Sequence, residues 1–199
     1  MFVQKIKSYV IKLINWRYIF LIRKSTENIQ GVHQATFFGK PIINQYPSST
    51  IKLWKKFIGI SSNKYNPVWI SHCLKISTLS ESAIIEIWDD VWISGASICA
   101  KKWIFIWNWV LIGANVTIID NDFHPIHSLK RRYKALWSSD YKEVIIEDNV
   151  FIWMNSIILK WSHIKENSVI GAGSVVSGVV DMNTIYAWNP AKEIGKLKI

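Results

Sequence analysis

Residues 146–176 read IEDNVFIWMNSIILKWSHIKENSVIGAGSVV, with an isoleucine or valine at every sixth position from 146 to 176. A small or branched residue follows four positions after each of these aliphatic residues: Val150, Ser156, Ser162, Ser168, Ser174 and Val180. Neither an α-helix nor a flat β-strand has this period. A period of six predicts a chain wound into triangular coils, with three short strands per turn and one aliphatic residue pointing inward from each side.

The same period appears earlier in the chain, which indicates further coils. The inward positions recur at Ile106, Ile112 and Ile118, at Ile87 and Ile93, and more weakly at Ile70 and Ile76. One coil cannot bury its apolar side, whereas coils stacked about 4.8 Å apart share a continuous core. The sequence therefore predicts an all-β protein in which residues 31–188 form a parallel β-helix of hexapeptide repeats, with one loop insertion at 119–144.

Length and composition place few other limits. A chain of 199 residues forms one domain, or one domain with a small extension. Cys73 and Cys99 have neither disulfide nor zinc spacing, so we expect two small buried side chains and a reducing, cytoplasmic setting. Lys12, Asn15 and Arg17 interrupt the N-terminal apolar stretch, which argues against a signal peptide or a membrane span.

The two ends of the chain differ from the repeat. Residues 1–30 are expected to form a basic amphipathic helix, because residues 1–24 contain six Lys or Arg and no acidic residue. Its apolar residues recur at helical spacing at Val3, Ile6, Val10, Leu13, Ile14, Tyr18 and Leu21. Either an anionic membrane surface or the end of the β-helix would cover them. No nucleic-acid motif accompanies the charge. Asn189-Pro190 predicts the end of the last coil, with residues 189–199 as a cap that contains a short helix from about Ala191.

The chain has 12 tryptophans, and several occupy unusual places in the repeat. Gly113 and Gly171 follow an inward aliphatic residue at a corner, and elsewhere the same place holds Trp88, Trp107 and Trp153. Other tryptophans at positions that favour glycine are Trp161 and Trp188, then Trp54, Trp69, Trp92 and Trp103. Corners favour glycine because it tolerates unusual backbone angles and close approach. One hypothesis is that the gene has UGA codons at these tryptophan positions, that the source organism reads UGA as glycine, and that the codons were translated as Trp. The alternative is a genuine aromatic surface that stacks on sugars.

The largest interruption of the repeat, residues 119–144, contains the candidate catalytic groups. His124 is followed by Pro125 and lies where a coil becomes a loop, so its ring is positioned and accessible. Imidazole changes charge close to neutral pH, which suits a general base. Asp120 or Asp122 is placed to orient this ring. The basic run Lys130, Arg131, Arg132 and Lys134 predicts either a phosphate contact or a solvated loop face.

Three stretches resemble a known family: VLIGANVTIIDNDFHPIH (110–127), VFIWMNSIILKWSHIKENSVIGAGSVVSG (150–178) and YAWNPAKEI (186–194). They are similar to the hexapeptide-repeat acyltransferases, in the galactoside/maltose O-acetyltransferase-like branch. The basic N-terminal segment and FFGKPII (37–43) look like acetyltransferases of cell-surface polysaccharide synthesis. The resemblance implies a left-handed β-helix, a homotrimer, acetyl-CoA as the donor without a metal, and a sugar or glycan hydroxyl as the acceptor.

The resemblance also implies roles for individual residues. His124 matches the catalytic base. The positions that match coenzyme A contacts are Ala172, Ser177, Gly178 and Lys192. The family's sugar-binding Asn is not placed and Ser94 is nearest to it; Asp122 and His127 are the other candidates for substrate contact. The acceptor is therefore less defined than the donor.

Two other functions fit a β-helix of this kind. A carbonic anhydrase with a three-histidine zinc site needs two histidines about five residues apart and a third on another coil. His124 and His127 are only three apart, and a third histidine on the appropriate coil is missing. A non-catalytic scaffold would retain the fold without a base, whereas this chain retains His124.

Overall fold

Three parallel β-sheets, which we call faces A, B and C, enclose the core of the computed structural model. The structure describes residues 2–27, 29–134 and 140–198, so Trp137 lies outside the described residues. Strands β1–β20 visit the faces in the repeating order A, B, C, and each strand pairs with the next strand on its own face. This is the predicted parallel β-helix.

The strands are short and are numbered along the chain. Face A contains seven strands: β1 (Ile29–Gln30), β4 (Thr50–Leu53), β7 (Ile84–Ile87), β10 (Trp103–Ile106), β13 (Val144–Ile146), β16 (His163–Ile164) and β19 (Val179–Val180). Face B contains eight: β2 (Thr36–Phe38), β5 (Ile58–Ile60), β8 (Trp92–Ser94), β11 (Leu111–Ile112), β14 (Phe151–Ile152), β17 (Val169–Ile170), β20 (Thr184–Ala187) and β21 (Lys192–Lys196). Face C contains six: β3 (Ile42–Asn44), β6 (Lys75–Thr78), β9 (Ser97–Ala100), β12 (Thr117–Ile119), β15 (Ile157–Ile158) and β18 (Val175–Val176).

Residues at the predicted inward positions stack in register along each face. On face B, for example, Ile93 pairs with Ile112, Ile112 with Ile152, and Ile152 with Ile170. All four side chains are at most 2% exposed. Full burial of an aliphatic side chain of this size contributes roughly 1.5–3 kcal/mol. Stacked isoleucines are therefore the main source of stability in this fold.

The six-residue register breaks at the last corner. In the preceding coils the residue four positions after each repeat aliphatic, for example Ser174 after Ile170, lies just before the next strand. Instead, Val180 occupies a strand position and pairs with Ile164. The corner between β18 and β19 contains only Ser177 and Gly178, and Gly178 has φ of 101°. Glycine adopts this conformation readily, which permits the shorter corner.

The β-helix begins earlier than its regular repeat. Its first strand starts at Ile29, and the early coils are irregular in length. Ile70, expected at an inward repeat position, lies instead in an insertion of residues 61–74 between β5 and β6. There it is buried with Ile60 and Ala114 outside the main core. The prediction for Ile70 was wrong because its spacing from Ile76 falls inside a loop.

The N-terminal helix, α1 (Phe2–Ser25), packs against the first coil. The Asn15 amide donates to the Ala35 carbonyl at 3.0 Å, and its oxygen accepts from the Phe37 N–H at 2.8 Å. Tyr18, Ile19 and Ile22 contact the core beside it. The face that packs differs from the predicted apolar stripe, because Leu13, Ile14 and Leu21 are exposed. Val3, Ile6 and Val10 lie outside the described side chains.

The end of the chain is a strand rather than the predicted helix. Lys192–Lys196 pairs antiparallel with β20, and Lys192 lies opposite Ala187. The peptide bond between Asn189 and Pro190 is cis, and the chain reverses direction there. Pairing with β21 satisfies backbone groups on β20 that a helix would have left at an open sheet edge.

Three tryptophans have backbone angles that large side chains rarely adopt. Trp109, Trp161 and Trp188 have φ of 59°, 71° and 83°. These backbone angles agree with the glycine hypothesis for Trp161 and Trp188. Trp109 has a similar angle, although the sequence did not single it out as a glycine position. The corner tryptophans Trp88, Trp107 and Trp153 have no positive φ, so the backbone-angle argument does not extend to them.

Candidate active site

The loop that carries His124 leaves the β-helix between faces C and A. We call this corner the C–A edge; it is formed by residues 101–102, 119–121, 159–162 and 177–178. The two ends of the loop pair in antiparallel fashion through Asn121 and Tyr141, and the Lys142 N–H donates to the Asp120 carbonyl at 2.9 Å. The loop therefore starts from a fixed stem on the coils.

Asp120 fixes that stem to the preceding coil. Its carboxylate is fully buried and accepts hydrogen bonds from the backbone N–H groups of Lys101, Lys102 and Trp103 at 2.7, 2.6 and 2.9 Å. Burial and then the nearby Asp120 charge raise the pKa of the Cys99 thiol to about 11, against the smaller opposing effect of Lys75. With these contacts, Asp120 is a structural residue and does not orient the His124 ring.

Asp122 forms an ion pair across the C–A edge. The Lys160 Nζ lies 2.5 Å from Asp122 Oδ2, and about a quarter or less of each side chain is exposed. The backbone N–H of His124 donates to the backbone carbonyl of Asp122 at 2.6 Å. The pair therefore ties the segment that carries His124 to the coil that follows the loop.

A cleft of about 320 Å³ lies beside this ion pair. Ser177 belongs to its wall together with Asp122 and Lys160, and the other lining residues are Ile119, Asn121, Phe123, Ile126 and Leu159. One predicted substrate residue and one predicted coenzyme residue thus share a cleft at the C–A edge. Asp122, Lys160 and Ser177 surround an otherwise largely apolar space, as is common in small-molecule sites.

The two loop histidines lie on the surface of this chain and outside the cleft. His124 and His127 are both exposed, and neither contributes to the cleft wall. Within the described residues the Asp122 carboxylate is paired with Lys160 rather than with a histidine. In a single chain, the candidate base His124 therefore lies beside the cleft and is not enclosed by it.

The four predicted coenzyme residues flank the last strand of face C, β18. Ala172 precedes this strand at the corner between faces B and C, and Ser177 and Gly178 follow it at the C–A edge. The Ala191 N–H donates to the Val175 carbonyl at 2.9 Å, which brings Lys192 to the same end of the β-helix. Ala172, Ser177 and Lys192 are exposed.

Ser94 is placed differently from the other candidates. It is 8% exposed and lies before the corner between faces B and C. The insertion 61–74 covers this corner: Ile70 and the His72 carbonyl lie against Gly95, and the Ser71 N–H donates to Asn115 Oδ1 at 2.7 Å. Ser94 is therefore not brought together with His124 in one chain.

The basic run forms a short 3₁₀-helix, Arg131–Tyr133, in the loop. Its side chains are exposed, and Arg131 donates to the Ile126 carbonyl at 3.0 Å. This contact stabilises the turn after His124. Both predictions for the run, a phosphate contact and a solvated face, are compatible with its position.

Sequence reasoning missed Lys160 and the insertion 61–74. Lys160 occupies an ordinary corner place in the repeat, and its partner Asp122 is 38 residues away. Nothing in the sequence around either residue predicts such an ion pair. The insertion could have been found, since Asn63, Asn66, Pro67 and Ser71 are typical loop residues between two apolar stretches.

Among the described residues, no three or more His, Cys, Asp or Glu side chains are grouped in a way that would hold a metal ion. No described helix is both long and apolar enough to span a bilayer.

Part of the repeat is similar to known hexapeptide proteins. Residues 143–178 match the family model "Bacterial transferase hexapeptide (six repeats)". The chain is 39% identical over 87 residues to a galactoside O-acetyltransferase of Lactococcus lactis, and 34% identical over 88 residues to one of Escherichia coli K12. Each match covers 44% of this chain, and the chain spans only 40% and 41% of these relatives' lengths. The predicted resemblance to hexapeptide-repeat acetyltransferases of this branch is confirmed.

Solved structures share the fold over nearly the whole chain. A hexapeptide-repeat acetyltransferase from Vibrio cholerae superposes with a TM-score of 0.53 and 18% identity, covering 96% of this chain and 93% of its own. A maltose O-acetyltransferase from Clostridium difficile 630 superposes with a TM-score of 0.51 and 19% identity, covering 96% and 88%. These likenesses confirm the predicted left-handed β-helix fold.

Proposed function

We propose that this protein is an O-acetyltransferase that transfers an acetyl group from acetyl-CoA to a sugar hydroxyl in cell-surface polysaccharide synthesis. The cleft at the C–A edge is the observation that carries this proposal, because Ser177 and the loop residues on either side of His124 form its wall while His124 itself is exposed beside it. The galactoside O-acetyltransferases that match the repeat support the same reaction class. Acetyl-CoA, a cytoplasmic metabolite, is the donor.

The proposed reaction is direct transfer. The neutral His124 ring accepts the proton of the acceptor hydroxyl while that oxygen attacks the thioester carbon. The carbonyl oxygen becomes an oxyanion, which a backbone N–H of a neighbouring coil stabilises. The intermediate then collapses, the C–S bond breaks, and the imidazolium returns its proton to the leaving sulfur. Free coenzyme A and the acetyl ester are the products.

The donor is proposed to bind along the last coils. Ala172 contributes a backbone contact, Ser177 and Gly178 line the groove, and Lys192 attracts the phosphates of the coenzyme. The exposure of Ala172, Ser177 and Lys192 and the grouping of all four residues around β18 support this arrangement. Asp122 and His127 are proposed to contact the acceptor, whereas Ser94 is too buried in a single chain to serve without rearrangement of the insertion 61–74.

The active assembly is proposed to be a homotrimer with its groove between two chains. The exposure of His124 supports this, because one chain leaves the ring at the side of an open cleft. A neighbouring chain would close the groove and exclude water from the thioester.

The direct test is acetyl transfer with purified protein. Acetyl-CoA is incubated with a panel of sugars and oligosaccharides, and release of the coenzyme thiol is measured together with the mass of the product. We expect thiol release that depends on one class of acceptor, with a product heavier by one acetyl group. Binding of acetyl-CoA without transfer to any member of the panel would instead support the non-catalytic alternative.

A further inference from the structure

The side of α1 that faces away from the β-helix has a large apolar surface. Leu13, Trp16 and Phe20 are 66%, 68% and 55% exposed. Their spacing places them on one side of the helix. Asn15 and Ile22, which hold the helix to the first coil, lie on the opposite side. The packing of α1 on the coils therefore leaves this outward face uncovered.

The aromatic residues of the outward face act together. Trp16 and Phe20 stack with their ring centroids 6.0 Å apart and their planes within 23°. Together with Leu13 they form a contiguous apolar ridge, and exposed patches of this kind usually mark a binding surface. Tryptophan is favoured where apolar tails meet polar headgroups, because its ring is apolar and its N–H is polar.

Positive charge surrounds this ridge. At 100° per residue, Arg17 and Lys24 fall on the same side of α1 as Leu13, and Lys12 and Arg23 flank it. All four basic residues are exposed, and the helix contains no acidic residue. The outward face therefore combines apolar anchors with cations, as do helices that lie in an anionic lipid interface.

The positive charge of α1 also indicates which kind of partner covers its outward face. In a twofold contact, a second copy of this chain would bring Arg17 and Lys24 of both copies together, and like charges in contact destabilise an interface. An anionic lipid surface instead supplies the opposite charge and an apolar layer for the ridge. Since no described helix can span a bilayer, the contact is one in which α1 lies along the surface.

We propose that α1 docks this protein on anionic membranes, with Leu13, Trp16 and Phe20 inserted below the headgroups and Arg17 and Lys24 contacting lipid phosphates or carboxylates. The contact is independent of acyl transfer, because α1 covers the first coil and the loop with His124 leaves a later one. It would hold the β-helix at the surface by its N-terminal end.

Co-sedimentation with vesicles tests the docking. The full chain is mixed with sucrose-loaded vesicles of phosphatidylcholine, with or without phosphatidylserine. We expect binding only to vesicles that contain phosphatidylserine, and weaker binding as salt is added. Arg17→Gln with Lys24→Gln should reduce binding roughly 25-fold, since each basic residue near such a surface contributes about fivefold. Trp16→Ser with Phe20→Ser should abolish it.

Lys196→Gln with Lys198→Gln is the matched control, because it removes the same charge from exposed residues at the far end of the chain. This control should bind as the parent does. Equal loss in the control and in the α1 variants would show that net charge alone is responsible, and would overturn the proposal. Full vesicle binding by the variant Trp16→Ser with Phe20→Ser would also overturn the proposal. It would be overturned too if sedimentation showed that the parent forms a protein complex through α1 and that this complex breaks up in the variant that no longer binds vesicles.

Discussion

At the scale of single residues, three tryptophans adopt left-handed backbone conformations in which a large side chain is strained. A residue with a Cβ atom in this region costs roughly 1–2 kcal/mol more than glycine. Trp161 has φ of 71° and is 65% exposed, so its ring contributes little burial in return. We propose that Trp109, Trp161 and Trp188 stand where the natural protein has glycine, and the codons of the gene decide this directly: UGG would refute it.

Replacing Trp161 with glycine should stabilise the protein. Glycine relieves the strain at this φ but is more flexible in the unfolded chain, so we expect the free energy of unfolding to rise by about 0.5–1 kcal/mol. Denaturant unfolding of Trp161→Gly measures it. Trp16→Gly is the control: it places glycine inside α1 and should not stabilise, since glycine disfavours helix. A clear loss of stability in Trp161→Gly would contradict the proposed backbone strain at Trp161.

The Cys99 thiol should react slowly with alkylating agents. Burial and the Asp120 charge raise its pKa from 9.0 to about 11, and only the thiolate is nucleophilic. At pH 8 its alkylation should therefore be roughly 100-fold slower than that of an ordinary thiol. The rate should continue to rise with pH up to about 11. Iodoacetamide labelling of a Cys73→Ser variant isolates this thiol, and rapid labelling at pH 8 would contradict the assignment.

At the scale of elements, the regular coils were predictable and their exceptions were not. From Ile106 to Ile118 and again from Ile146 to Val176 the six-residue period identifies the buried positions, because each coil there places one aliphatic residue on each face. Earlier coils contain insertions of different length, so the period disappears although the stacking continues from Ile29. The final strand β21 also lacks a repeat signal, since it is set by antiparallel pairing with β20.

The candidate site shows the same division between local and distant information. The position of His124 after a coil and before Pro125 identifies the loop from sequence alone. The different roles of Asp120 and Asp122 depend on contacts with residues on other coils, namely Lys101 and Lys160. Such contacts follow from the stacking of coils and not from spacing along the chain.

The Lys160–Asp122 pair should position the loop for catalysis. Lys160→Met removes the charge while it keeps most of the side-chain volume, and the segment that carries His124 loses its tie to the next coil. We expect kcat to fall about 10- to 100-fold with little change in KM for acetyl-CoA, because misplacement of a reacting group by about 1 Å can cost that much. Lys160→Arg should restore most of the rate. An unchanged kcat in Lys160→Met would show that the pair is only structural.

At the scale of the whole molecule, one chain forms a complete β-helix but an incomplete site. The core is continuous, whereas the cleft at the C–A edge is open and His124 is exposed beside it. We propose that three chains assemble so that His124 of one chain faces Ala172 and Ser177 of its neighbour. This arrangement would bring the base and the coenzyme residues to one groove.

Sedimentation tests this assembly. We expect the protein to sediment as a trimer of the 23.1 kDa chain, with acetyl transfer confined to that species. In mixtures of inactive His124→Ala and Ser177→Trp chains, exchange of subunits should restore part of the activity, because some grooves then combine an intact His124 with an intact Ser177. A fully active monomer would contradict the proposed groove.

The most direct test of the central claim compares the two loop histidines in acetyl transfer. Thiol release from acetyl-CoA is measured for the parent, His124→Ala and His127→Ala with the same sugar acceptor, across a range of pH. The rate of the parent should fall in acid, because only a neutral imidazole ring accepts a proton. His124→Ala should lower the rate roughly 10²–10⁴-fold with unchanged binding of acetyl-CoA, and His127→Ala should lower it much less. Full activity in His124→Ala, or equal losses in both variants, would contradict the assignment of His124 as the base.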